Sequence, residues 1–476
     1  MPYGTYGIGR VAASAVLVTL PPGISGREQE ADCETDPYVP PAPLPAGLVR
    51  RDVKVDEQFD VGGAAALRPA VAAFPQQPRI VSSAHGPIRH VMLWYPPVAE
   101  GLLSYRSIYE QLLRTLPAAA RVTIVTHPGE ADDLASLVRG ARSEADTQIV
   151  TTPDYLAFTV WAEDACVVVE DMASTPPTTY LLEPATFPRA GDMFLPELVA
   201  QATEVQATQV PLSFQGGNVL IGDDFVLIGR DYLDESVAGI LDLGAVDDFP
   251  YDGTAAERER ATTALFRRTF DPDRVFHFLE STPRDRPRDR IVRRNGERWL
   301  ESIAGGRGAR QPIFHIDMFV SLAGREEPSG RYVVLIGDPA RADELLGWEP
   351  VAHDLQAEFD QIAAQLAALG FEVRRTPLPY LPALLRGPVA GAGDVVGEIR
   401  WYHATSNNCL VQIDGAGKEV WLPTYGHGDN AELEVADREH QRIWEDLGFT
   451  VHLLGNFHPF AMQMGAVHCI KKYLAR

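Results

Sequence analysis

Two short segments bring together residue types that could carry out covalent chemistry. Near the C-terminus stands Met464-Gly465-Ala466-Val467-His468-Cys469-Ile470, preceded by the polar stretch Gly455-Asn456-Phe457-His458-Pro459. A cysteine is a nucleophile when a base or a neighbouring cation supports its thiolate. If residues 467–470 are extended, His468 points away from Cys469 and is poorly placed as its base, so the base must come from elsewhere. Phe314-His315-Ile316-Asp317-Met318-Phe319 offers one. In an extended run, alternation puts His315 and Asp317 on one face. A carboxylate and an imidazole on an otherwise apolar strand must be paired or functional, because burying an unpaired carboxylate is strongly unfavourable. A structural His/Asp pair in the core fits this segment equally well when it is read alone.

Two further segments add acids and glycines. Trp161-Ala162-Glu163-Asp164-Ala165-Cys166 places consecutive carboxylates just before the apolar run 167–169. One of them must face inward if that strand is buried. Ser213-Phe214-Gln215-Gly216-Gly217-Asn218 precedes the apolar run 219–221, and its glycine pair permits either a tight turn or a close approach of backbone to a ligand.

The elements that must position these residues alternate between β and α. Strand-like runs fall at 90–95, 121–126, 147–152, 161–170, 178–182, 219–228, 313–322, 331–337, 398–413, 419–423 and 450–454. Helical patterns lie at 104–116, 255–269, 353–369 and 431–447, the third stopped by Gly370. Strand pairs followed by a helix recur without letter-by-letter repetition, as in a diverged structural repeat. Residues 1–86 are rich in Pro, Ala and acids and read as an N-terminal arm, leaving 87–476 as the main folded domain. Within that domain the arginine- and aspartate-rich insert at 282–298 reads as a solvated surface loop.

The chain has 476 residues, with 42 Lys and Arg against 65 Asp and Glu, a net charge of −23. So acidic a surface repels a phosphate backbone and draws small cations inward, so nucleic acid is not an expected partner. No stretch reaches the length of a membrane-spanning helix, so the chain is not membrane-integral. The apolar run 11–20 behind Arg10 resembles a weak signal-peptide core, and cytoplasmic residence is the expectation with export as the alternative. Cys33, Cys166, Cys409 and Cys469 are scattered singly, which implies neither a disulfide framework nor a metal finger.

Taken in order, the four motifs resemble the guanidino-group-modifying (pentein) superfamily, and within it the agmatine deiminase and bacterial peptidylarginine deiminase branch. That branch carries a Trp-x-x-Asp element, a Gly-Gly element, a His-x-Asp followed by an aromatic, and a terminal Gly-x-x-His-Cys. Here they stand as Trp161/Asp164, Gly216-Gly217-Asn218, His315/Asp317 with Phe319, and Gly465/His468-Cys469. Ser406-Asn407-Asn408-Cys409-Leu410, leading into 420–426, is similar to the family's penultimate strand pair and loop.

The resemblance implies an α/β fold, a five-bladed propeller of ββαβ units around a pseudo-fivefold axis. It implies that Cys469 attacks a guanidinium carbon, that His315 shuttles protons, and that Asp164 and Asp317 hold guanidinium nitrogens. Trp161, Gly217, Asn218 and Glu163 join the substrate-binding set, with no metal and no organic cofactor. The expected partner is a small cationic guanidino compound or an arginine-bearing peptide, with a homo-oligomer allowed for. An amidinotransferase and a catalytically silent binding protein on the same scaffold are the alternatives. Two departures stand out. Agmatine deiminases place Arg before the Trp-x-x-Asp aspartate where this chain has Glu163, and the glycine run before the cysteine is reduced to Gly465. Glu163 either adds a carboxylate for a second cationic group or points outward into solvent, the outward reading being favoured slightly.

Overall fold

The computed structural model describes residues 35–36, 74–97 and 104–476, apart from 190, 245, 283–288, 304–309, 352 and 390–392. One unit recurs through it. Val219–Ile221 turns back antiparallel into Phe225–Gly229, the chain crosses through helices Arg230–Leu243 and Ala255–Phe270, and Val275–Leu279 returns parallel to the second strand. The longer helix is fixed at its start by sequence: Thr254 and Glu257 close a capping box that satisfies otherwise orphaned donors.

The same strand–strand–helix–strand connection is made by Val320–Arg325, Tyr332–Asp338 and Glu372–Pro377. It recurs in Leu410–Ile413, Lys418–Thr424 and Thr450–Asn456, and in Val167–Asp171, Thr178–Glu183 and Gln206–Gln209. A fifth unit joins the two ends of the described chain. Lys471–Ala475 pairs antiparallel with His90–Tyr95, which runs parallel to Arg121–Thr126 after helix Ser104–Thr115, with Thr147–Thr151 added outside. Arg476 secures this seam, its guanidinium donating to the carbonyls of Ser83, Ala84, Gly86 and Val411. Apolar helix faces cover the sheets, as where Ile108, Tyr109 and Leu112 share a fully buried cluster with Trp421 and Leu454.

Several sequence expectations change here. Pro78–Ile80, inside the stretch read as an arm, is an edge strand paired with Val167–Asp171, so the folded body begins before residue 87. The 282–298 insert is not a loop throughout. Arg290–Arg294 and Glu297–Ile303 form a hairpin whose turn residues Asn295 and Gly296 have φ of 51° and 79°, the left-handed pair a two-residue hairpin turn needs. That hairpin pairs with Gly397–His403 and Tyr380–Arg386 in a sheet outside the repeated units, around its own small core of Val292, Trp299, Tyr380 and Trp401. The expected strand 398–413 is therefore two strands with a loop between them. Likewise 161–170 and 313–322 become strands only at Val167 and Val320.

Candidate active site

Each repeated unit begins with an apolar strand, and the polar residues singled out in the sequence sit immediately before those strands. Trp161–Cys166 leads into Val167, Gln215–Asn218 into Val219, and His315–Phe319 into Val320. Ser406–Cys409 leads into Leu410, and Val467–Ile470 leads into Lys471. Because these segments end at equivalent places in the five units, the fold gathers one loop from each.

Two of the loops are single 3-10 turns, Gly216–Asn218 and Ile316–Met318, packed on each other. His315 is extended and Asp317 lies within the second turn, so the pair is held by a turn and not by strand alternation. Asn218 sets that turn: its carbonyl oxygen accepts from the Ile316 N–H at 2.9 Å while its amide donates to Asp231 at 3.0 Å. Asn218 is fully buried in this network, with Gln311 nearby, and positions the loop.

Gly217 is where the groups meet. A Cβ there would stand 2.6 Å from His315 Nδ1, 3.0 Å from Asp164 Oδ1 and 3.1 Å from Asp317 Oδ2. Only glycine lets the backbone come this close. His315 Nδ1 lies 3.5 Å from Asp164 Oδ1, and the Gly217 N–H donates to that oxygen at 3.3 Å. The other oxygen of Asp164 is taken by Arg189 at 2.8 Å, which in turn is held by Asp192 at 2.5 Å. Asp164 thus turns one oxygen toward His315.

Cys469 is 2% exposed, and its thiol lies 3.5 Å from Asp317 Oδ2 and 3.1 Å from the amide nitrogen of Asn408. Residues 467–470 form a turn and not an extended run. The reason is Asn408, whose single carbonyl oxygen accepts from the N–H groups of Ala466, His468 and Cys469. The turn swings His468 back, and its Nδ1 sits 2.8 Å from the same Asp317 oxygen that faces the thiol. His468 therefore belongs to the cluster, although not as a partner of Cys469 directly. Among the described residues, Asp317 Oδ1 and both ring nitrogens of His315 are buried without hydrogen-bond partners. Buried polar atoms left open in this way mark where a ligand's donors and acceptors would go. Trp161 walls the cluster, packed so tightly on Gly465 that a Cβ there would run into the indole.

Neither sequence reading of Glu163 holds. It is 4% exposed, and both its oxygens are occupied, by Lys471 Nζ at 2.7 Å and Lys472 Nζ at 2.9 Å. Burial alone would raise its pKa, but the two ammonium groups outweigh that and hold the carboxyl down at about 2. Lys471, Lys472 and Arg189 were not found from the sequence as members of this region, and Asn408 was singled out only within Ser406–Leu410, without a role. The adjacent lysines in an otherwise apolar C-terminal strand were the available signal.

The electrostatics of the cluster are set by burial and by its neighbouring carboxylates. Burial, then Asp164 and Glu163, push Asp317 well above the ordinary carboxylate range. Burial, then Asp317 and Asp164, push the Cys469 thiol well above its usual value. Burial lowers His315 to about 4 despite Asp164, so its imidazole is neutral. A planar cation with several N–H groups placed among Asp164, Asp317 and Cys469 would satisfy the open acceptors and favour the ionised thiol and carboxylate together. Cys166 and Cys409 are buried in apolar clusters and raised to about 12, mainly by burial. Among the described residues no group of three or more His, Cys, Asp or Glu side chains is arranged to hold a metal ion. Nor is any described helix long and apolar enough to cross a membrane.

No protein-family model and no curated protein sequence matches the chain. Solved structures do. A provisionally assigned agmatine deiminase is similar over 86% of this chain and 99% of its own, with a TM-score of 0.55 and 13% identity. An agmatine deiminase of Enterococcus faecalis is similar over 85% and 98%, with a TM-score of 0.52 and 12% identity. A provisionally assigned peptidyl-arginine deiminase is similar over 84% and 99%, with a TM-score of 0.51 and 11% identity. At such identities the likeness is one of fold: the chain shares the α/β fold of these structures. The similarity takes in 98% or more of each of these structures.

Proposed function

We propose that this chain is a deiminase that hydrolyses the guanidino group of agmatine, arginine or a peptidyl-arginine-like substrate to a ureido product and ammonia. The observation that carries this reading is the convergence of Cys469, Asp317, His315 and Asp164 around Gly217, with acceptors left open for a cation. The five strand–strand–helix–strand units are read as the blades of a propeller around a pseudo-fivefold axis, closed by the pairing of Lys471–Ala475 with His90–Tyr95.

In this reading the substrate guanidinium enters between the free oxygen of Asp317 and the inward oxygen of Asp164. Its charge favours the Cys469 thiolate, which forms a C–S bond to the guanidinium carbon. The proton released on thiol ionisation passes through His315 to one nitrogen, and the C–N bond breaks to release ammonia. The amidino-thioether left behind is attacked by water. Neutral His315 takes a proton from that water, the C–S bond breaks as the imidazolium returns that proton to sulfur, and the ureido product sheds the other water proton to solvent as it leaves. The Asn408 amide, donating to sulfur, stabilises the thiolate as it forms and again as it departs.

The test is incubation with a panel of agmatine, free arginine and arginyl peptides. Release of ammonia together with a ureido compound supports the proposal. A new guanidino compound formed on an added amine would make the chain an amidinotransferase, and binding without turnover would make it a silent scaffold.

A further inference from the structure

Behind Gly216 lies a second charged cluster that the chemistry above does not use. Lys471 is fully buried, Lys472 is 5% exposed, and the two ammonium groups share the single carboxylate of Glu163. Lys472 also donates to the Glu163 carbonyl at 3.0 Å, and a Cβ on Gly216 would come within 2.6 Å of its Nζ. The Glu163 N–H donates to the Cys469 carbonyl at 3.1 Å. Gly216 thus packs on this cluster while Gly217 packs on the reacting set. Two ion pairs and a backbone hydrogen bond tie the residue before Asp164 to the residues on and just after Cys469.

We propose that Glu163, Lys471 and Lys472 act as a positioning brace with a net positive charge. The brace fixes the Asp164 loop against the Cys469 turn and lends one uncompensated positive charge to the ionised thiol and to Asp317. The inference rests on Cys469 being the nucleophile. The charged and titratable groups around that thiol include Asp317, Asp164 and Tyr425, with His468 on Asp317, His315 beside Asp164 and Arg189 on the far oxygen of Asp164. Arg189 is shared by Asp164 and Asp192 and Arg476 is held by backbone carbonyls, whereas the two ammonium groups share one carboxylate, so the brace carries an excess of one positive charge. Burial lowers Lys471 to about 8, which leaves it charged at neutral pH.

Alkylation of the folded protein by neutral iodoacetamide at fixed pH, followed by peptide mapping, reads the thiolate fraction at Cys469 without any substrate. Lys471→Met cancels the excess charge and should slow labelling about tenfold, one pKa unit. Glu163→Gln with Lys471→Met leaves Lys472 as a lone positive charge with acceptors still in place, and should restore the wild-type rate. A purely structural role predicts the reverse: both variants loosen the turn, labelling speeds up, and the double variant does not recover. That result, or an unchanged rate in Lys471→Met, overturns the brace while the deiminase reading stands. A wild-type Cys469 that never labels removes the nucleophile and the brace with it.

Discussion

Gly217 and His315 are in contact through the space a side chain would fill: a Cβ at 217 would lie 2.6 Å from His315 Nδ1. Gly217→Ala should therefore displace the imidazole by a fraction of an ångström, with Asp164 and Asp317 behind it. Displacements of that order in a positioned site cost about 100-fold in rate. The expected outcome is a kcat/KM reduced by about that factor, with the unfolding midpoint little changed, because the turn itself does not require a left-handed residue at 217. If alanine at 217 leaves kcat/KM at the wild-type level, the glycine pair is only a turn.

Cys469→Ser and Cys469→Ala should abolish turnover while retaining the fold. The thiol should also be the site of attack by haloacetamidine reagents, whose cationic head matches the open carboxylates. Burial raises all three thiols, so the discrimination comes from Asp317 and Asp164 beside Cys469, which draw the cationic reagent there, and Cys166 and Cys409 should label far more slowly. Peptide mapping after limited labelling tests this, and equal labelling of the three thiols would count against a specific nucleophile.

The relation between sequence and site is uneven in an instructive way. Apolar strands and their preceding polar loops were legible, because alternation and glycine placement are local signals. The placement of His468 and Glu163 was not, because it depends on partners far away in the chain. Three N–H groups of the terminal turn point at the one carbonyl oxygen of Asn408, and no local pattern around 467–470 announces that. Glu163 looked solvated beside Asp164 until Lys471 and Lys472 arrived from the last strand. The hairpin at 290–303 was a different failure. Its Asn295-Gly296 turn is a strong local signal, masked by the charged residues around it.

Neutral His315 should leave a mark on stability. In the unfolded chain this imidazole binds a proton near pH 6.5, and in the folded protein only near 4. Between those values the unfolded state holds more protons, so the His315 contribution falls as the pH falls, by up to about 3 kcal/mol. Relative to His315→Gln, the wild type should lose stability steadily from pH 6.5 to 4 and run parallel above 7. Urea unfolding of both proteins across that range measures the difference directly. A constant difference would mean that the imidazole is solvated. In turnover, the same substitution should slow both formation and breakdown of the amidino-thioether.

Asp164 and Asp317 separate clamp from scaffold. If each holds the substrate cation, Asn at either position removes a charge-assisted hydrogen bond in a dry site, worth about 2 to 5 kcal/mol in transition-state stabilisation. Their stability effects should differ. Asp317 binds its proton more tightly folded than unfolded, so its ionisation costs stability as the pH rises from the ordinary carboxylate range toward the folded pKa. Asp317→Asn should then be as stable as the wild type at neutral pH, or more so. Asp164 carries the Arg189 ion pair, and Asp164→Asn should cost stability because it leaves that guanidinium with Asp192 alone. Measuring kcat/KM and thermal unfolding for both variants distinguishes the roles. A normal kcat/KM in either variant would remove that aspartate from the site, and a collapsed Tm with activity tracking the folded fraction would mark it as structural.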